Sequence, residues 1–198
     1  MVVFGITGGS GSGKTSVSKM LEKLGVHIID TDVIAHEIVE PNSDCLNELV
    51  DYFGDSILND DKTLNRKKLA SIAFSDKQKT EALSNITHKY IKAEVVKDIN
   101  TTDAELVGID GAVIIGSNVE PICEFIVSVI ADKQSRITRI KTRDNITDEQ
   151  AIQRINAQND DEFYKENSMY IIYNNGDIAQ LESDVVGLFN KIKGNSFE

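Results

Sequence analysis

This chain of 198 residues is short of cysteine, proline and positive charge. Its two cysteines, Cys45 and Cys123, form no CxxC or zinc-binding spacing. We therefore expect two free, buried thiols in a reducing compartment. Pro41 and Pro121 are the only prolines, and no proline- or glycine-rich linker divides the chain. The length suits one α/β domain over residues 1–198.

Positive charge is scarce, since 21 lysines and arginines face 32 aspartates and glutamates, for a net charge of −11. Nucleic acids and anionic membranes attract broad basic surfaces, so the composition argues against both as partners. No apolar run is long enough to cross a bilayer. The first apolar segment indicates a strand rather than a signal peptide. We expect a cytoplasmic protein that is a monomer or a weak homo-oligomer.

Glycine is abundant near the start of the chain, where residues 8–15 have the sequence GGSGSGKT. This matches G-x-x-x-x-G-K-[ST], the P-loop whose main-chain N–H groups surround a phosphate. Residues 1–7 predict a buried strand before the motif, and helical spacing of apolar residues follows it as far as Gly25. Lys14 is expected to reach the β- and γ-phosphates, and the Thr15 hydroxyl to ligate Mg²⁺. The candidate nucleotide-binding residues are Gly9, Ser10, Gly11, Ser12, Gly13, Lys14, Thr15 and Ser16.

Strand and helix signals alternate along the chain and predict an α/β fold, a three-layer P-loop NTPase with a mostly parallel five-stranded sheet. Helical patterns fill residues 35–100, which is too long for a simple crossover and predicts a helical acceptor-binding insertion. The polar segment 133–167 predicts a helical lid. The predicted strands cover residues 1–7, 26–30, 105–110, 125–131 and 170–173. Capping signatures predict helix starts at residues 75–78, Asp132, Thr147 and Asp177.

Two groups of charged residues fit phosphoryl transfer beside a P-loop. Asp30 and Asp32 close the second strand, and ligands of open α/β sheets lie beyond the carboxyl ends of the strands. A carboxylate there can take a proton from a substrate hydroxyl or organise Mg²⁺, whereas the alternative role is helix capping. Arg136, Arg139 and Arg143 share one helical face, which favours phosphate contact by one or two of them. The alternative is a solvated basic face paired with nearby acids.

Several further motifs give the chain a resemblance to the dephospho-coenzyme A kinases that runs nearly end to end. Together with the P-loop they are D-T-D at 30–32, L-N-R at 64–66, R-I-N-A-Q at 154–158 and N-N-G at 174–176. The resemblance implies a nucleoside-monophosphate-kinase-like fold with core, acceptor-binding and lid regions. It also implies ATP-dependent phosphorylation of the ribose 3′-hydroxyl of dephospho-coenzyme A, the final step of coenzyme A synthesis.

The same resemblance implies roles for individual residues. Asp32 would be the catalytic base toward the hydroxyl and would act with Lys14. Arg139 and Arg143 would contact the phosphates from the lid side, and Asn175 would lie near the adenine of ATP. The residues that line the site or hold the acceptor would be Thr7, Asp32, Arg66 and His88.

The chain departs from the usual family pattern at four positions. Thr31 replaces an alanine, Lys89 a proline, and Ala112 and Gly116 the proline and glutamate of a P-L-L-F-E element. The last change favours an alternative, a P-loop kinase that acts on another nucleoside, nucleotide or small alcohol. A non-catalytic nucleotide-binding regulator is the third hypothesis, although binding alone would not need the Asp32 carboxylate.

Overall fold

A computed structural model describes residues 1–195 of the chain. The chain forms two compact units, one made of Met1–Ile29 and the chain from Thr102 onward, the other of Asp30–Thr101. The helical insertion predicted for residues 35–100 falls within the second unit.

The first unit contains a five-stranded sheet in the order β2-β3-β1-β4-β5. β1 pairs in parallel with β3 and β4, and β4 pairs in parallel with β5, which confirms the predicted mostly parallel sheet. β1, β3 and β4 are nearly continuous apolar runs, as expected of parallel strands that are covered on both faces. The strands are β1 (Val2–Thr7), β2 (His27–Asp30), β3 (Leu106–Asp110), β4 (Phe125–Ile130) and β5 (Tyr170–Tyr173).

Helices surround this sheet and form nearly all of the second unit. In chain order they are α1 (Lys14–Lys23), α2 (Thr31–Glu37), α3 (Asp44–Phe53), α4 (Arg66–Ala73), α5 (Lys77–Thr101), α6 (Lys133–Asp144), α7 (Asp148–Asn156), α8 (Asp161–Glu166) and α9 (Ile178–Asn195). Short 3-10 helices cover Asp55–Ile57 and Glu120–Ile122.

The main core of the first unit lies where α1 and α9 pack on the sheet. Val17 and Leu21 of α1 and Val185 of α9 are completely buried there, together with Phe4 and Val127 of the strands. Burial of each such side chain contributes about 1.5–3 kcal/mol. The helical spacing read after the P-loop is therefore confirmed, and this packing fixes the end of β1 against the start of α1.

In the second unit the long helix α5 packs against α2, α3 and α4. One carboxylate ties α3 to α5, because Glu48 Oε2 accepts hydrogen bonds from Lys89 Nζ and Tyr90 Oη, each at 2.7 Å. The bond from Lys89, followed by that from Tyr90, lowers the pKa of Glu48. Lys89, which departs from the family pattern, thus has a partner within its own unit.

Most helix starts follow the predicted signals. The caps at Asp132, Thr147 and Asp177 are confirmed, the second as a reciprocal capping box. The capping box predicted at residues 75–78 is wrong, because the Ser75 hydroxyl donates to Ile72 O of α4. The carboxylate of Asp76 caps α5 instead, by accepting the N–H of Gln78.

Two expectations from composition bear on the structure. Cys45 is buried and free, as expected, whereas Cys123 is free but only half-buried. Burial raises the pKa of the Cys45 thiol to about 11 and that of Cys123 to about 12. Neither thiol is therefore a ready thiolate nucleophile. Within residues 1–195, the structure contains no helix with the length and apolar character needed to span a bilayer.

Candidate active site

The P-loop connects the end of β1 to the first residue of α1, as predicted. Gly8, Gly11 and Gly13 have φ angles of 145°, 77° and 100°, which residues with a side chain rarely adopt. Gly13 is the N-cap of α1, and no side chain caps this helix. The first N–H groups of a helix have no intrahelical acceptor, and the helix dipole favours an anion there. This uncapped end and its glycine loop fit a phosphate group.

Cationic side chains and an amide engage the carbonyl oxygens of the loop. Lys14 Nζ donates to Gly8 O at 3.1 Å. Arg139 Nη1 donates to the carbonyls of Gly11 at 3.2 Å and Ser12 at 3.3 Å, and Asn174 Nδ2 donates to the latter at 2.8 Å. These carbonyls are therefore engaged by the cations and the amide. The N–H groups of Ser10, Ser12 and Ser16 have protein acceptors, so an anion would meet the other N–H groups of the loop and of the start of α1.

Asn174 is a site residue that sequence reasoning missed. Its main-chain and side-chain oxygens both accept hydrogen bonds from Arg139 Nη2, at 2.9 and 3.3 Å, and its side chain is buried. A Cβ on Gly13 would lie 2.0 Å from Asn174 Nδ2, so the loop needs glycine here. The signal was the N-N-G motif, of which only Asn175 was predicted as a site residue. Asn175 Oδ1 accepts the N–H of Asp132 at 2.8 Å, which fixes the start of α6, and its expected place near the adenine of ATP stays a prediction.

Arg143 lies further along α6 and has different partners. Its Nε and Nη2 donate to the two oxygens of Asp144 at 2.7 and 2.9 Å, and its side chain is 61% exposed. Arg154 of α7 pairs with the same carboxylate, and Lys141 pairs with Asp148. The three arginines of the predicted face thus have different partners. Arg136 and Arg139 contact the P-loop, whereas Arg143 belongs to a solvated ion-pair network.

This network makes the α6–α7 pair sensitive to acid. Arg143, and after it Arg154, holds the pKa of Asp144 at about 2, below the ordinary value of 3.8. The stabilisation is therefore present above about pH 4 and is lost as the pH falls toward 2. We expect Asp144→Asn to speed amide hydrogen exchange in α6 and α7 at pH 7, with the difference from the unmodified chain closing between pH 4 and pH 2. An equal difference in exchange rate between the variant and the unmodified chain at pH 7 and at pH 2 would contradict this role of Asp144.

Thr15 and Asp110 are the residues that could hold Mg²⁺. Asp110 ends β3 beside the P-loop strand, is 8% exposed, and accepts a hydrogen bond from Ser18 Oγ at 2.7 Å. Ser18 is one helical turn from Thr15 on α1, so these groups share one face of the helix. A hydroxyl and one carboxylate, completed by water and phosphate oxygens, are a donor set that Mg²⁺ accepts. Asp110 was missed, although an acid that ends an apolar strand was a signal for it.

The second unit brings Arg66 and His88 to one pocket of about 360 Å³, as two of its few polar lining residues. Arg66 Nη2 lies 2.8 Å from His36 Nδ1. Since arginine only donates, His36 Nδ1 is the acceptor in this pair. His36 had no predicted role. The remaining lining is largely apolar and includes Ile38, Leu69, Leu83 and Ile91.

Asp30 and Asp32 have different environments at the start of α2. Asp30 is the N-cap, and its Oδ1 accepts the N–H groups of Asp32 at 2.8 Å and Val33 at 3.2 Å. Within residues 1–195 the carboxylate of Asp32 is exposed and has no hydrogen-bond partner. Capping, which was considered for Asp32, therefore falls to Asp30. Asp32 and His36 are spaced i, i+4 and so lie on one face of α2.

The loop after β3 contains the two strongest departures from the family pattern. Thr7 is buried at the end of β1, and its hydroxyl donates to Ala112 O at 3.4 Å. Both residues line a cavity of about 210 Å³. Gly116 has a φ of 79°, and its N–H donates to Glu120 Oε2 at 2.6 Å. The carboxylate of Glu120 thus binds the main-chain N–H of Gly116, the position at which the family has a glutamate.

The parallel sheet, the P-loop and the cations on it define a P-loop kinase. The family model described as Dephospho-CoA kinase matches residues 2–180. A protein of Lactobacillus johnsonii named Dephospho-CoA kinase is 34% identical over 95% of this chain and 96% of its own length. The chain belongs to the dephospho-CoA kinase family, and it is thus a phosphotransferase.

Solved structures agree with this assignment. The structure of Dephospho-CoA kinase from Campylobacter jejuni is 26% identical, covers 98% of each chain and has a TM-score of 0.71. The structure of TT1252 from Thermus thermophilus is 24% identical, covers 96% of this chain and 97% of its own, and has a TM-score of 0.83. At that identity the second likeness shows the fold, which is the predicted P-loop α/β fold.

Proposed function

We propose that this chain transfers the γ-phosphoryl group of ATP to the ribose 3′-hydroxyl of dephospho-coenzyme A, with the P-loop as donor site and the second unit as acceptor site. ATP is the phosphoryl donor of this kinase family, and the reaction completes coenzyme A synthesis. The observation that supports the P-loop as the ATP site is the orientation of its main chain, whose carbonyls accept hydrogen bonds from Lys14, Arg139 and Asn174.

At the donor site, main-chain N–H groups of the P-loop other than those of Ser10, Ser12 and Ser16 surround the β- and γ-phosphates, and Lys14 neutralises the charge that develops on them. Arg139, fixed by the loop carbonyls, adds a second positive charge. Thr15 and Asp110 would hold Mg²⁺, which would supply positive charge to offset that of the phosphate oxygens during transfer. Arg143 can contact a phosphate only after it leaves Asp144, so we assign it a smaller contribution to phosphate binding than Arg139.

At the acceptor site, Asp32 takes the proton of the attacking hydroxyl. Its support is the free, exposed carboxylate on the face of α2 that also presents His36. His36 holds Arg66, whose charge suits the diphosphate of dephospho-coenzyme A. The apolar pocket beside Arg66 and His88 belongs to the same acceptor region, and Thr7 lines the cavity at the end of β1.

The proposal places the enzyme in the cytoplasm, where ATP and Mg²⁺ are available. Free cysteines fit a reducing compartment.

An acceptor panel tests the function. The protein is incubated with Mg-ATP and, separately, with dephospho-coenzyme A, adenosine, AMP, other nucleosides and small alcohols, and ADP release is measured. We expect turnover with dephospho-coenzyme A, a product phosphorylated on the 3′-hydroxyl, and no turnover when Mg²⁺ is omitted. Preferential turnover of another acceptor would favour the alternative kinase that the 112–116 departure suggested. Nucleotide binding without any turnover would favour a regulator.

A further inference from the structure

Gln158 binds the P-loop residue Ser10 through both ends of its side-chain amide. Gln158 Oε1 accepts the main-chain N–H of Ser10 at 2.8 Å, and Gln158 Nε2 donates to Ser10 Oγ at 3.2 Å. Gln158 lies in the connection between α7 and α8, which is part of the predicted lid segment 133–167. The contact therefore joins that segment directly to the main chain of the phosphate-binding loop.

Arg136 completes this contact and fixes the direction of the amide. Its Nε donates to Ser10 O at 2.9 Å and its Nη2 donates to Gln158 Oε1 at 3.2 Å. The guanidinium is itself held, since its side chain is 6% exposed and its Nη1 lies 3.6 Å from Asp161 Oδ1. Because two donors converge on Oε1, the oxygen of the amide must face Ser10 N–H and Arg136, and the NH₂ group must face the hydroxyl. The N–H, C=O and hydroxyl of Ser10 are thus all engaged.

The close approach of Arg136 also constrains the neighbouring glycine. A Cβ on Gly9 would lie 2.3 Å from Arg136 Nη2, so the guanidinium can reach Ser10 only beside a glycine. Gln158 itself is a polar residue and is half-buried. In the described part of the chain, its side-chain hydrogen bonds go to Ser10 and Arg136 alone. This combination suits a residue that orients the loop rather than one that holds the fold together.

We propose that Gln158 is a positioning residue for nucleotide binding, which, with Arg136, holds the Ser10 peptide in the orientation that the P-loop needs to bind the phosphates of ATP. This inference rests on the proposed function of the P-loop as the ATP site. Without the amide, the Gly9–Ser10 peptide loses the acceptor of its N–H, while Arg136 still holds the Ser10 carbonyl, and this part of the loop must be reordered each time a nucleotide binds. The loss therefore falls on nucleotide affinity rather than on the acceptor pocket of Arg66 and His88, which Gln158 does not line.

The test compares Gln158→Leu, Ser10→Ala and the double variant by calorimetric titration with Mg-ADP and by the KM values for both substrates. Gln158→Leu removes three hydrogen bonds, and we expect about tenfold weaker Mg-ADP binding and a similar rise in the KM for ATP. The KM for dephospho-coenzyme A should stay within twofold. Ser10→Ala removes only the hydroxyl contact and should weaken Mg-ADP binding two- to threefold. The double variant should bind no more weakly than Gln158→Leu alone, because the two side chains act as a unit.

Gln153→Leu is the matched control, since Gln153 is an exposed glutamine of α7 and should leave Mg-ADP affinity unchanged. Wild-type affinity in Gln158→Leu, an equal rise in both KM values, or full additivity in the double variant would each overturn the proposal. If Gln158→Leu does not fold, an unchanged affinity in Ser10→Ala overturns it instead. Failure of the unmodified protein to bind Mg-ADP would instead refute the proposed ATP site itself.

Discussion

Asp32→Asn is expected to lower the turnover number by about 10²–10⁴-fold while the affinity for Mg-ATP stays within twofold. The asparagine keeps the size of the side chain but cannot accept the proton of the ribose hydroxyl. Asp32 makes no side-chain hydrogen bond within residues 1–195, so its replacement should cost α2 no more than the helix-dipole contribution of a first-turn carboxylate, about 0.3–1 kcal/mol. Steady-state turnover, nucleotide titration and thermal unfolding of the variant measure the three quantities separately.

Asp30→Asn is the matched control for this prediction. It removes the same charge two residues earlier, but asparagine caps a helix about as well as aspartate, so the N-cap of α2 is kept. We expect turnover within a few-fold of the unmodified enzyme. An equal loss in both variants would show that the catalytic effect comes from the local negative charge rather than from a base at Asp32. Near-normal turnover of Asp32→Asn would remove Asp32 from the mechanism.

The sheet and the P-loop could be predicted because each depends on local sequence. Parallel strands that are buried on both faces are continuous apolar runs, and β3, β4 and β5 were placed to within about one residue. The P-loop motif is a contiguous string, and its glycines at positions 8, 11 and 13 are required by the backbone angles of the loop itself. The helix caps at Asp132 and Thr147 were predicted for the same reason, since a cap involves only three or four neighbouring residues.

The partners of the lid arginines could not be predicted from spacing. Helical periodicity put Arg136, Arg139 and Arg143 on one face, but it carries no information on what that face meets. Contacts such as those of Arg136 with Ser10 or Arg139 with Asn174 span 126 and 35 residues of sequence. Similarly, Asp30 and Asp32 have equivalent chemistry, and only the backbone turn into α2 decides which one becomes the cap.

Gly8→Ala is expected to abolish nucleotide binding and to lower the free energy of unfolding by more than about 3 kcal/mol. Gly8 has a φ of 145°, and a Cβ there would lie 2.2 Å from Val129 O and 3.0 Å from Ser12 Oγ. Val129 O belongs to the main chain of the buried strand β4, so it cannot rotate away as a flexible side chain would. The P-loop must therefore move away from β4, and its N–H groups lose their common direction.

Gly25→Ala separates this crowding from backbone strain alone. Gly25 also has a positive φ, 97°, but a Cβ there would meet no atom of the described residues within 4 Å. Its replacement should cost only the left-handed strain of about 1–2 kcal/mol and leave Mg-ADP affinity unchanged. Urea denaturation and Mg-ADP titration of the two variants give the comparison. If both lost similar stability and Gly8→Ala still bound nucleotide, close packing of the loop on β4 would not be what shapes the phosphate site.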